Sequence, residues 1–102
     1  MARVIEGVLQ EELRNSRRMH QRYQQALRKL GKGSLAARLI HGHRYYYHAV
    51  YDKGRVRFHY LGKLSPQAIA PWRERERQRK RYRRLLREVK RQIVFLERSL
   101  RG

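Results

Sequence analysis

The chain has 102 residues, 40% of them apolar, and carries 27 Lys and Arg against 8 Asp and Glu, a formal net charge of +19. This length supports one small basic domain over residues 1–102 with a modest core, and no stretch approaches the roughly 18 apolar residues of a membrane span. The absence of Cys excludes a disulfide framework, a thiol nucleophile and the Cys-containing zinc sites.

A charge of +19 on a small body repels itself, so a polyanionic partner is expected, and nucleic acid leads. Seven Tyr, two Phe and one Trp argue against a disordered basic tail, which lacks core-building residues. Arg outnumbers Lys 21 to 6, which suits bidentate phosphate and guanine contacts; Arg-rich codon usage would produce the same bias. The opening residues Met1 to Gly7 hold no apolar run of signal-peptide length, so the expected location is cytoplasmic.

Residues 4–30 read as a helix, with Leu9, Leu13, Met19, Tyr23, Leu27 and Leu30 recurring at spacings of three, four or their sums. Gly31 and Gly33 stop it. Residues 34–61 then read as a three-stranded antiparallel sheet: 34–40, 44–51 and 55–61, joined by turns at His41-Gly42-His43 and Asp52-Lys53-Gly54. In the third strand Val56, Phe58 and Tyr60 share one face and Arg55, Arg57 and His59 the other. In the second, Arg44, Tyr46 and His48 oppose Tyr45, Tyr47 and Tyr51. Alternation alone leaves open which Tyr set faces the core, because a one-residue slip reverses the answer.

Ser65-Pro66 resembles a helix N-cap followed by Pro at the first helical position, and Pro71 is expected to separate a short helical turn from a long helix over 72–100. That helix has an apolar seam of Tyr82, Leu86, Val89, Ile93, Leu96 and Leu100. The expected fold is therefore α+β, with the two long helices able to pair as an antiparallel coiled coil. Opposite the seam, Arg73, Arg77, Lys80, Arg84, Arg87 and Arg91 form a cationic rail in the same rhythm. Arg75 and Arg79 occupy seam positions, so residues 72–81 are expected to project from the core, to fray in isolation, or to be ordered by an anionic surface. Residues 72–91 hold 11 basic and 3 acidic side chains, too few acids for intrahelical pairs to neutralise the rail. A membrane-surface helix fits poorly, since the densest charge has no apolar face beside it.

The Tyr45-Tyr46-Tyr47 run beside Arg44 and His48 reads either as a stacking surface for bases or as cover for a small core. The residues Gly33-Ser34-Leu35, Ile40-His41-Gly42, Tyr45-Tyr46-Tyr47, Gly54-Arg55-Val56 and Tyr60-Leu61-Gly62-Lys63 resemble a pattern of small bacterial and mobile-element proteins. The likeness covers about 30 residues and implies the three strands, but no activity. More loosely, the sheet is similar to the N-terminal three-stranded DNA-binding module of tyrosine recombinases, which implies Arg44, Tyr46, Arg55 and Arg57 facing DNA in the major groove. These 102 residues hold none of the recombinase catalytic domain.

His41, His43, His48 and His59 lie in or beside the sheet, a composition open to metal binding or acid–base work. The single Asp, Asp52, falls in a turn, and no Gly-rich phosphate loop or Ser-His-Asp arrangement is present. The expectation is a protein that is not an enzyme and takes no cofactor and no metal. Nucleic acid, DNA or structured RNA, is its expected partner, met by Arg73, Arg75, Arg77, Arg79, Lys80, Arg84, Arg87 and Arg91 on the helix. Arg38, Arg44, Tyr46, His48, Arg55, Arg57 and His59 would meet it on the sheet. A DNA-binding accessory of a mobile element or nucleoid comes first. An RNA-binding subunit of a ribonucleoprotein and an oligomeric scaffold joined through the helical seams are the alternatives, Val94 and Phe95 being apolar surface for another subunit or the sheet.

Overall fold

The computed structural model describes residues 2–102 and has the order α1 (Ala2–Lys29), β1 (Ser34–Ile40), β2 (His43–Asp52), β3 (Arg55–Gly62) and α2 (Pro66–Arg101). This is the expected α+β arrangement, and the chain gathers into two compact units: α1 with Lys80–Gly102, and Leu30–Arg79.

In the helical unit the seam predicted for α2 is the buried one. Val89 and Leu96 are buried, while Tyr82, Leu86, Ile93 and Leu100 are half-buried. On α1 the covered stripe runs through Leu9, Leu13, Ser16, His20, Tyr23 and Leu27. Met19, expected in it, is exposed, because a 3.6-residue repeat continues from Leu13 through Ser16 and His20. The rings of Tyr23 and Tyr82 lie 6.0 Å apart at 49°, a tilted pair of the kind aromatic quadrupoles favour.

In the other unit the strands form one antiparallel sheet in the order β1-β2-β3. Both hairpins have two-residue turns, His41-Gly42 and Lys53-Gly54, with positive φ at all four residues (49° and 78°, 50° and 81°). Positive φ at both central residues is the turn geometry that matches strand twist, and it sets the register: Ile40 opposes His43, and Asp52 opposes Arg55. A bulge at Tyr46/Tyr47 leaves Leu61 between the pairs Tyr46–Gly62 and Tyr47–Tyr60. Gly33 (φ +94°) admits no side chain, since a Cβ there would stand 2.5 Å from the His48 ring and 2.6 Å from the Ala49 carbonyl.

The helix α2 opens as predicted. The Ser65 hydroxyl accepts the Ala68 N–H at 3.2 Å, and the Ser65 carbonyl accepts that of Ile69 at 3.0 Å. Pro71, expected to divide the helix, lies inside it. Coming in the second turn, it forfeits one bond to the Gln67 carbonyl, a small loss so close to the helix start.

Ser16 is 1% exposed, and its hydroxyl has no hydrogen-bond partner among the described residues. An orphaned buried hydroxyl carries a desolvation cost, and Ala is the better helix former. Ser16→Ala is therefore expected to stabilise the protein by about 1 kcal/mol, read as a higher urea midpoint at unchanged slope. A lower midpoint would show that the hydroxyl is bonded.

Candidate nucleic-acid interface

Pairing fixes the two faces of the sheet. Leu35 opposes His48, so Leu35, Ala37 and Leu39 share a face with Arg44, Tyr46, His48, Arg57 and His59. The opposite face collects Arg38, Tyr45, Tyr47, Tyr51, Val56, Phe58 and Tyr60.

The first half of α2 packs on the Leu35 and His48 part of this face, while Leu39 at its far end is 67% exposed. The Trp72 indole lies 5.0 Å from the His48 ring, and Glu76 Oε1 accepts the Leu35 N–H at 2.8 Å. Arg79, 6% exposed, donates to the Leu30 carbonyl at 3.2 Å. The Arg75 guanidinium sits 4.4 Å from the centre of the Trp72 ring, a cation–π contact. Residues 72–79 thus pack on the sheet rather than project, contrary to expectation. Long polar side chains can bury their stems and satisfy their heads on backbone groups, which an apolar stripe cannot do.

Two expected interface residues are therefore withdrawn from solvent. Tyr46, on the same face as Leu35 and His48, is 7% exposed, and Arg79 is committed to the Leu30 carbonyl. His48 is half-buried against Trp72, with Nε2 3.1 Å from the Lys32 carbonyl. Its ring is 6.2 Å from that of His59, and among the described residues no group of three or more metal-ligating side chains comes together.

The remaining cations are exposed, singly or in ion pairs. Arg73 pairs with Glu76 at 3.4 Å, Arg77 with Glu74 at 2.6 Å, Arg84 with Glu88 at 3.9 Å and Arg57 with Asp52 at 3.4 Å. The Gln78 amide, and after it Arg77, hold the Glu74 carboxyl below its ordinary range. Lys80, Arg87 and Arg91 on α2, and Arg38, Arg44 and Arg55 on the sheet, are exposed and have no ion-pair partner among the described residues. Surface pairs of this kind are worth 0–1 kcal/mol and open readily to a phosphate.

The opposite face is bare. Tyr51 is 70% exposed, Phe58 60%, Tyr60 62% and Val56 53%, with Tyr45 and Tyr47 half-buried. Sequence reasoning noticed the Val56-Phe58-Tyr60 alternation without assigning it to solvent. The pair of two-residue turns puts Leu35 and Phe58 on opposite faces, and the packing of α2 at Leu35 leaves the Phe58 face to solvent.

No family model, curated protein or solved structure matches this chain. No helix among the described residues is long and apolar enough to cross a membrane.

Arg79→Ala removes the buried donor that bonds the Leu30 carbonyl and is expected to cost about 1–3 kcal/mol. Lys80→Ala, one residue on and exposed, should stay within about 0.5 kcal/mol. Urea unfolding followed through the fluorescence of Trp72 measures both, and equal effects would refute the buried role of Arg79.

Proposed function

We propose that this protein binds nucleic acid without catalysing a reaction on it, foremost as a DNA-binding accessory of a mobile element or nucleoid. The observation that carries this reading is a net charge of +19 borne on exposed side chains, with Lys80, Arg87, Arg91, Arg44 and Arg55 exposed and unneutralised. Phosphates supply the missing counter-charge. Contacts of this kind position a protein on the backbone and carry little sequence information. Arg73, Arg77 and Arg84 join the set by exchanging a carboxylate for a phosphate.

A second reading, a scaffold assembled through apolar helix surface, draws on Val94 and Phe95, which are 45% and 66% exposed. They line a surface depression with Lys90, Arg91 and Arg98. Three added cations around two apolar residues make this a poor self-association surface at low salt, so nucleic acid binding is preferred.

Titration against matched duplex DNA, single-stranded DNA and structured RNA at several salt concentrations tests the proposal. On duplex DNA the log–log slope should be about −5 or steeper if roughly six phosphates are neutralised. Replacing Arg77, Lys80, Arg84 and Arg87 together by Gln should flatten it by about 3.6 while leaving the fold intact. A slope near zero, or no binding at low salt, would refute the function, and tighter binding to structured RNA than to DNA would favour a ribonucleoprotein subunit.

A further inference from the structure

The open face of the sheet is an aromatic surface that phosphate binding leaves unused. Tyr47 stands at its centre, its ring 5.3 Å from that of Tyr60 and 6.4 Å from that of Phe58. The interplanar angles are 56° and 88°, so these rings meet by edges and tilts rather than by parallel stacking, and ring faces remain available. Two cations flank them: the Arg38 guanidinium 6.0 Å from the centre of the Tyr47 ring, and the Lys63 ammonium 5.8 Å from that of Tyr45. Phe58 and Tyr60 are 60% and 62% exposed, a concentration of bare apolar surface that marks an interaction site.

The occupant follows from charge and shape together. A second copy of this chain would set Arg38 and Lys63 against their counterparts between two bodies of charge +19. A DNA duplex offers phosphates, but its bases are already stacked on one another and present no free faces. A strand with unpaired bases offers both, since every base has a π-face and every linkage a negative charge.

We infer that this face, centred on Tyr47, Phe58 and Tyr60 with Arg38 and Lys63 beside it, stacks the unpaired bases of single-stranded DNA. The inference rests on the proposed function, which puts DNA before RNA and so names the strand, and it adds to that function a single-stranded substrate class and a second set of residues. Of those residues, Arg38, Tyr47, Phe58 and Tyr60 lie on the side of the sheet opposite Arg44, Arg55 and Arg57.

The test compares three probes of equal length at one salt concentration: oligo(dT), an abasic deoxyribose-phosphate oligomer carrying the same charge, and oligo(rU). The wild-type protein should bind oligo(dT) roughly tenfold or more tightly than the abasic strand, the low end of what base–aromatic stacking supplies. The variant Phe58→Thr, Tyr60→Thr, which keeps strand-forming residues, should lose that preference while its abasic binding and salt slope stay unchanged. Equal affinity of the wild type for the abasic and base-bearing strands would overturn the stacking role while leaving phosphate binding intact, and it needs no variant. Failure to bind any strand at low salt would remove the proposed function and this inference with it. Oligo(rU) bound tenfold more tightly than oligo(dT) would overturn the assignment to DNA. A dimer in sedimentation that the double variant dissolves, with no base preference, would make the face a self-interface instead.

Discussion

A three-stranded sheet has two faces, and in this protein the packing of Trp72 on His48 decides which is covered. Their rings are 5.0 Å apart, with Glu76 bonded to the Leu35 amide and Arg79 to the Leu30 carbonyl along the same side of the helix. A small sheet needs such cover to be stable. Here it comes from an indole, a carboxylate and a guanidinium rather than from a stripe of leucines. The hydrophobic effect is non-directional, whereas hydrogen bonds to named backbone groups fix distance and angle, so this cover specifies both the face and the position along it. Everything exposed on the other side, from Tyr51 to Tyr60, is exposed because the helix is elsewhere.

That arrangement separates two kinds of surface. Cations on α2 and on the Arg44, Arg55 and Arg57 side of the sheet are the means of phosphate contact in the proposed function, and rings on the opposite side are the means of base contact. Phosphate attraction is long-ranged and screened by salt, and base stacking is short-ranged and insensitive to it. A protein with only the first would hold any polyanion; the second discriminates by whether bases are free. The ion pairs of Arg73, Arg77, Arg84 and Arg57 moderate the repulsion of the unbound state without burying a charge.

Much of the fold was legible because it is locally encoded. The period of Tyr82, Leu86, Val89, Ile93 and Leu96 marks a helix face wherever the helix goes, and Gly42 and Gly54 mark turns needing positive φ. The rail residues Arg73, Arg77, Lys80, Arg84, Arg87 and Arg91 were predicted exposed and are exposed. Pro71 misled because Pro is read as a helix breaker, and near the start of a helix it breaks very little. Met19 misled because spacings of six and four were accepted where Ser16 and His20 continue the true repeat. Tyr46 and Arg79 misled for a deeper reason: a Tyr beside two others and an Arg among eleven basic residues carry no local mark of burial.

By itself the sequence determined the charge, the α+β element order, the turns and the content of each strand face, since all of these depend on neighbours a few residues apart. Which face is covered was decided only by tertiary structure, through partners 41 and 49 residues apart, Leu35 with Glu76 and Leu30 with Arg79. The apolar alternation of Leu35, Ala37 and Leu39 and that of Val56, Phe58 and Tyr60 each look like a core face. The register sends them to opposite sides, and the helix segment buries Leu35 on one of them while Leu39 stays exposed and the other side has no cover.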